Sequence, residues 1–335
     1  MSKYDNIILI TIYIQLESWE EMNEEDLYYK YSYYLKQKYG EKVYKLPVNL
    51  NISCPNRDGT VGTKGCYFCS DKGTGFEMLH YEKSVREQLI ENRNYIGKRY
   101  GANKFIAYFQ NYTNTYMPLD EFKLYMEQAC MDDVVEIDVS TRPDCISREY
   151  LDVLQDIYHK TNTNITIELG LQTTNDESLI KINRGHNVQD FIDAVNVIKE
   201  YPFDICVHLI LNLPWDEDQD AINSAILMNQ LAINQVKLHA LYIAKGSVFE
   251  RMYAEKNLEI CSKDEYISRV ILFLENLDSS VAIQRLIGRA PKEETAFCNW
   301  DISWWKIRDE IDHKMKEMNT YQGKKKVTYE KRKRE

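Results

Sequence analysis

From residue 43 onward, short runs that are apolar at nearly every position alternate with longer stretches of helical periodicity. The runs lie at 43–53, 105–110, 134–141, 165–171, 205–211, 236–242 and 281–286. A strand apolar on both faces must be covered on both faces, the condition of a parallel sheet. Helices are expected between the runs, at 119–131, 148–159, 188–200, 216–232, 263–277 and 300–318. This alternation predicts an α/β fold with right-handed crossovers. A complete eight-unit barrel takes about 250 residues. Six or seven units are visible here, so the expected architecture is a partial (β/α)6 TIM-like barrel of parallel strands with N- and C-terminal helical extensions. In such sheets the working residues lie at the carboxyl ends of the strands.

The expected division is an N-terminal extension at 1–40, the barrel at 41–290, a helical closing segment at 291–323 and a basic tail at 324–335. The extension is rich in Tyr and Glu, and 24–39 reads as a helix with Leu27, Tyr31, Tyr34 and Leu35 on one face. The apolar stretch 7–14 is too short to span a membrane and lacks the basic flank and cleavage site of a secretory signal. No membrane partner and a cytoplasmic location are expected. The net charge of −10 argues mildly against nucleic acid, but the tail carries seven basic and two acidic residues. That tail reads either as a solvated end or as a source of phosphate contacts.

Of eight cysteines, only Cys54, Cys66 and Cys69 are clustered. Scattered single cysteines elsewhere suit small buried side chains in a reducing compartment better than a disulfide framework. The spacing Cys-x11-Cys-x2-Cys, in a loop loosened by Gly59, Gly62 and Gly65, points to a metal centre. Two readings stay open on spacing alone. One is a zinc knuckle with a histidine such as His80 as fourth ligand. The other is a four-iron cluster with one iron left unligated by protein, since such clusters ordinarily take four cysteines.

The segments CPNRDGTVGTKGCYFC, FIAYFQNYTNTYMPLDE, STRPDCI, IELGLQTTNDESLIKINRGH and VHLILNLP occur in that order between about residues 28 and 323. Together they resemble radical S-adenosylmethionine (SAM) enzymes, in the branch related to the catalytic subunit of Elongator. The resemblance implies a [4Fe–4S] cluster on Cys54, Cys66 and Cys69, with SAM chelating the open iron. It implies reductive cleavage of SAM to a 5′-deoxyadenosyl radical and a one-electron donor such as flavodoxin or ferredoxin.

The resemblance also suggests SAM contacts, each with its own chemical reading. Gln110 and Asn111 end the second run and would meet the SAM amino group, or cap a turn. Arg142 would face the cofactor or pair with Asp144. Glu168 and Gln172, an even number of residues apart, can face one interior. A carboxylate inside an apolar run needs a partner, either the cofactor or Arg184. Arg184, with His186 beside it, resembles the group addressing the SAM carboxylate, onto which a guanidinium forks. His208 would touch the ribose or sit satisfied in the core. The chain has Asn212 where the family often has Gly.

The branch implies a tRNA substrate, with conversion of wobble 5-carboxymethylaminomethyl uridine to 5-aminomethyl uridine. The segment holding Arg285, Arg289, Lys292, Trp300, Trp304 and Trp305 is the candidate for substrate contact, the alternative being a closing helix with its tryptophans in the core. No acetyltransferase domain is expected. Radical modification of a protein or small metabolite, and a non-catalytic zinc-stabilised RNA-binding protein, are the alternative functions.

Overall fold

The computed structural model describes residues 26–69 and 78–326. The expectations for 1–25, including the stretch at 7–14, and for 327–335 of the basic tail lie outside the described residues. The strands are β1 (Val43–Val48), β2 (Lys104–Phe109), β3 (Val134–Thr141), β4 (Asn164–Gln172), β5 (Asp204–Ile210), β6 (Gln235–His239), β7 (Ile243–Ala244), β8 (Ala282–Arg285) and β9 (Thr295–Phe297). Seven of them form one parallel sheet in the order β1-β2-β3-β4-β5-β6-β8. β7 and β9 make a separate antiparallel pair. The sheet curls into a partial barrel until side chains of its two edges meet: Lys45 on β1 donates to Gln284 on β8 at 3.0 Å.

The helices are α1 (Tyr31–Tyr39), α2 (Val85–Tyr100), α3 (Leu119–Ala129), α4 (Arg148–Thr161), α5 (Asp176–Lys181), α6 (Val188–Ile198), α7 (Asp218–Gln230), α8 (Val248–Ala254), α9 (Lys263–Asn276) and α10 (Trp304–Glu317). Several start where the sequence supplies reciprocal caps, such as Ser84 with Glu87 and Ser262 with Glu265. Buried aliphatic and aromatic side chains between sheet and helices form the main core. Among the described residues no helix is long and apolar enough to cross a membrane.

The amino end of the barrel is plugged by α1. Lys38 pairs with Glu136 on β3 at 2.7 Å and with Asp204 on β5 at 2.6 Å, and Tyr39 and Tyr34 bond to the same two carboxylates. The tyrosine-rich face therefore seals the end opposite the strand termini.

The parallel α/β expectation holds, with differences at boundaries. The first strand stops at Val48 rather than residue 53, because the Asn49 backbone and side chain bond to Gln88 and the Leu79 carbonyl. Cys54 thus lies out in the following loop, not at a strand end. The sixth run breaks after His239, where the Leu241 N–H is captured by Asn212 at 2.6 Å. The last helix starts at Trp304 instead of 300, since Asn299, Trp300 and Asp301 all adopt positive φ. The N-terminal helix begins only at Tyr31. Helices α2, α5 and α8 have no counterpart in the sequence expectation.

Candidate functional site

At the carboxyl ends of the strands, one cavity is lined by the three clustered cysteines together with Gln110, Arg142, Glu168, Gln172, Arg184 and His208. Residues far apart in sequence meet here because parallel strands all release their next residues at the same rim.

The cavity floor is a buried polar cluster centred on Glu168. Its Oε1 accepts from Lys45 at 2.6 Å and from Gln284 at 3.3 Å. Its Oε2 accepts from His208 at 2.7 Å, Tyr108 at 2.9 Å, Ser140 at 3.1 Å and Lys237 at 3.1 Å. Burial by itself would raise this carboxyl; Lys237, Lys45 and His208 overcome it and hold Glu168 well below the usual carboxylate range. The expected alternative partner, Arg184, is not among these donors; two lysines occupy that role. The ammonium groups of Lys45 and Lys237 each lie 4.5 Å from the Tyr108 ring centroid. Glu168, Cys206 and His208 also converge as a metal-like group. The six donors on Glu168 already use the carboxylate, so the chemistry of that cluster is a neutralised ion network.

The cysteine loop is pinned to the turn after α5. Asn56 donates to the Asn183 carbonyl at 2.6 Å, and Asn183 returns a bond to the Gly65 carbonyl at 2.8 Å. Cys66 and Cys69 are linked by a backbone bond of 2.9 Å, and Arg57 reaches the Cys69 carbonyl at 3.3 Å. The fit is close at Gly185, φ 79°, where a Cβ would approach Val61 to 2.7 Å. Arg184 donates to the Cys66 sulfur at 3.3 Å and to the Gly170 carbonyl. Burial, with the Cys66 thiol beside it, pushes Cys69 up to about 11. A bound cation reverses that preference, since metal-bound thiols are deprotonated.

The donor set fits a [4Fe–4S] cluster with SAM on two grounds. Three thiols are one short of a complete four-cysteine set. Around them, buried polar atoms of lining residues lack protein partners: Arg142 Nη1 and Arg184 Nε. Arg142 does pair with Asp144, through Nε at 2.8 Å and Nη2 at 2.7 Å, yet Nη1 stays open. A Cβ at Gly170 would sit 2.8 Å from both Arg184 and Gln172, so a side chain there would crowd the rim. Gln172 holds φ 81° at a bulge in β4, a strained position for a non-glycine residue.

Two expected contacts are placed differently. Asn111 is buried beside Asn49 and does not line the cavity, whereas Gln110, Tyr112 and Thr113 do. His186 packs against the Gly170 and Asn187 carbonyls and is outside the lining. His80 is exposed, stacked on Tyr81, and lies away from the cavity. Site residues absent from the sequence expectation include Tyr108, Tyr112, Lys237 and His239 in the lining, with Lys45 reaching Glu168 from β1. A lysine interrupting an apolar run at 45 and again at 237 was the available signal.

His208 Nε2 lies 2.7 Å from Glu168 Oε2 and donates to that carboxylate in its Nε2–H tautomer. Burial first, then Lys237, lowers His208 to about 4, and burial with Arg285 keeps His239 well below the ordinary histidine range. In the unfolded chain both take a proton near pH 6.5. The unfolded state therefore binds more protons, and stability falls as pH drops below about 6.5, by about 1.4 kcal/mol per pH unit for each histidine. Urea midpoints of the metal-free protein should decrease from pH 7.5 to 5; unchanged midpoints would contradict this assignment.

Comparison with known proteins adds the following. Residues 58–227 match the profile of the Radical SAM superfamily, and residues 233–317 that of the Radical_SAM C-terminal domain. The chain is 31% identical over 303 residues to uncharacterized protein YtqA of Bacillus subtilis, covering 90% of this chain and 94% of that protein. It is 22% identical over 205 residues to archaeosine synthase subunit beta of Thermococcus kodakarensis, covering 58% and 61%. The structure of archaeal Methanocaldococcus infernus Elp3, lacking its N-terminal residues 1–46, has the same fold at TM-score 0.63 and 15% identity, over 84% of this chain. This chain spans 64% of that structure's length.

Proposed function

Because the chain belongs to the radical SAM superfamily, and is thus an iron–sulfur enzyme using a [4Fe–4S] cluster and SAM, we propose that it modifies a tRNA wobble uridine. The reaction proposed is conversion of the 5-carboxymethylaminomethyl group to 5-aminomethyl.

In this reading Cys54, Cys66 and Cys69 hold the cluster. Cluster and SAM, when bound, supply a 5′-deoxyadenosyl radical that abstracts hydrogen from an unactivated carbon. Arg184 and Arg142 offer their open N–H groups to the SAM carboxylate, and Gln110 and Gln172 orient its polar groups at the rim. Glu168 acts one layer below: it fixes Tyr108, His208 and Lys237, whose remaining surfaces face the ligand. His208, neutral, presents an acceptor nitrogen while its Nε2–H is used. Asn111 supports the rim from behind. The sealed amino end keeps water from entering beneath the reacting groups.

The observation that carries the substrate assignment is a groove continuous with the cavity. Arg289, Cys298 and Asn299 line both, and the groove continues along Lys245, Lys292, Trp304 and Trp305. Trp305 is 45% exposed, with Lys306 over its ring, and Arg308 lies over Trp304. Exposed aromatic and cationic planes beside a cavity suit an extruded base with its flanking phosphates. On a chain that is acidic as a whole, such a patch supports a nucleic-acid contact on this face. Trp300 is different: its indole bonds to the Cys261 carbonyl at 2.9 Å and packs on the core.

The enzyme needs a reductant, here read as a flavodoxin or ferredoxin, and a cytoplasmic setting follows from a tRNA substrate. The divisions 1–40, 41–290, 291–323 and 324–335 remain the proposed organisation. Nucleoside mass spectrometry of tRNA from cells with and without the gene tests the proposal. Loss of the gene should raise 5-carboxymethylaminomethyl uridine and deplete 5-aminomethyl uridine. Unchanged wobble uridines would leave modification of a protein or metabolite as the better reading.

A further inference from the structure

Most cations of the barrel interior are matched by acids; Arg184, held by the Cys66 sulfur and the Gly170 carbonyl, and Arg285 are not. Lys45 lies 2.6 Å from both Asp138 and Glu168, Lys237 has Glu168, Lys38 has Glu136 and Asp204, and Arg142 has Asp144. Arg285, on the last strand of the sheet, makes no ion pair among the described residues. Its Nη2 rests against His239, 2.6 Å from Nδ1, and its Nε is buried with no hydrogen-bond partner. His239 is neutral and supplies no counter-charge. Glu168, the nearby carboxylate, is already saturated by its own donors. A guanidinium out of water without an anion is costly, and this one lines the cavity.

We propose that Arg285, together with His239, forms an anion subsite that receives a carboxylate carried by the substrate. The cofactor's own carboxylate has other donors, because Arg142 and Arg184 lie on the cysteine side and Arg184 touches the Cys66 sulfur. Arg285 instead belongs to β8 and the loop leading to Arg289, where the cavity opens into the aromatic groove. A planar fork matches a carboxylate bidentately. Choosing a carboxylate over an RNA phosphodiester rests on the wobble-uridine reading, whose 5-carboxymethylaminomethyl group carries one; the need for an anion rests on Arg285 alone.

The test uses the cluster-loaded protein saturated with SAM, as wild type and as Arg285→Gln, with Arg285→Lys as the variant that keeps the charge should the glutamine protein fold poorly. Anticodon stem-loops bearing 5-carboxymethylaminomethyl or 5-aminomethyl uridine share every phosphodiester and differ by the carboxylate. Wild type should bind the first at least about tenfold more tightly, as a charge-assisted hydrogen bond implies. Arg285→Gln should bind both equally, and Arg285→Lys should keep part of the preference. Independently of RNA, sarcosine should raise the melting midpoint of wild type and not of Arg285→Gln, while N-methylethanolamine shifts neither. A sarcosine shift without stem-loop preference keeps the subsite and removes the tRNA reading. An equal sarcosine response in the two proteins overturns the subsite, as does a tenfold or greater loss of SAM affinity in Arg285→Gln, which would make the cofactor its counter-ion.

Discussion

A Cys66→Ser protein, purified and reconstituted without oxygen, is expected to lose most of its iron and acid-labile sulfide. Production of 5′-deoxyadenosine from SAM under reduction should fall by about a hundredfold or more, since a cluster held by two thiolates is poorly retained. Cys66 is the best of the three cysteines for this test because its surroundings are the most determined. It is buried, receives the Arg184 guanidinium at 3.3 Å, and shares a backbone bond with Cys69. Serine preserves the volume and the hydrogen bond, so the fold should survive while the soft ligand is lost. Iron analysis and circular dichroism on one preparation check both halves. Full iron content in the variant would remove Cys66 from the proposed ligand set. Zinc in place of iron in the wild type would undo the cluster reading as a whole.

The Glu168→Ala substitution is expected to destabilise the metal-free protein by about 3–5 kcal/mol, the cost of leaving buried charges without their partner. The carboxylate is fully buried and unites donors from β1, β2, β3, β5, β6 and β8. Lys45 retains Asp138, 2.6 Å away, but Lys237 keeps only the Tyr108 hydroxyl. Lys237 is already lowered to about 8 by burial despite the attraction of Glu168. Without that attraction its pKa falls further, so the variant should regain stability as pH rises from 7 to 9 relative to wild type. Urea unfolding across that range measures both effects. A loss below about 1 kcal/mol would mean the network is not the keystone that its geometry indicates. Glu168→Gln, which keeps the shape, should fall between the two proteins.

The architecture was legible because its signal is local. Apolar runs of strand length separated by amphipathic stretches admit little besides a covered parallel sheet, and the sheet has that form. Where the chain departs from expectation, a contact distant in sequence is responsible. Gln88 draws Asn49 away and ends β1 early, and Asn212 captures Leu241 and ends β6. Helix α2, with its Ser84–Glu87 cap, went unread because its polar residues obscure a sparse apolar face.

By itself the sequence determined the cysteine trio, the parallel α/β frame and most of the polar residues gathered at the strand ends. The trio and the frame follow from spacing and residue type, which travel with the chain whatever its shape; the polar residues at the strand ends came with the family resemblance. Only the tertiary structure decided which charge answers which. Glu168 read as a cofactor contact or a partner of Arg184, and became the shared counter-ion of Lys45 and Lys237. Arg184 went to the Cys66 sulfur, and Arg285 was left without an acid. Pairing of buried charges depends on distances of a few ångströms across strands separated by tens of residues. That geometry exists only once the sheet has curled.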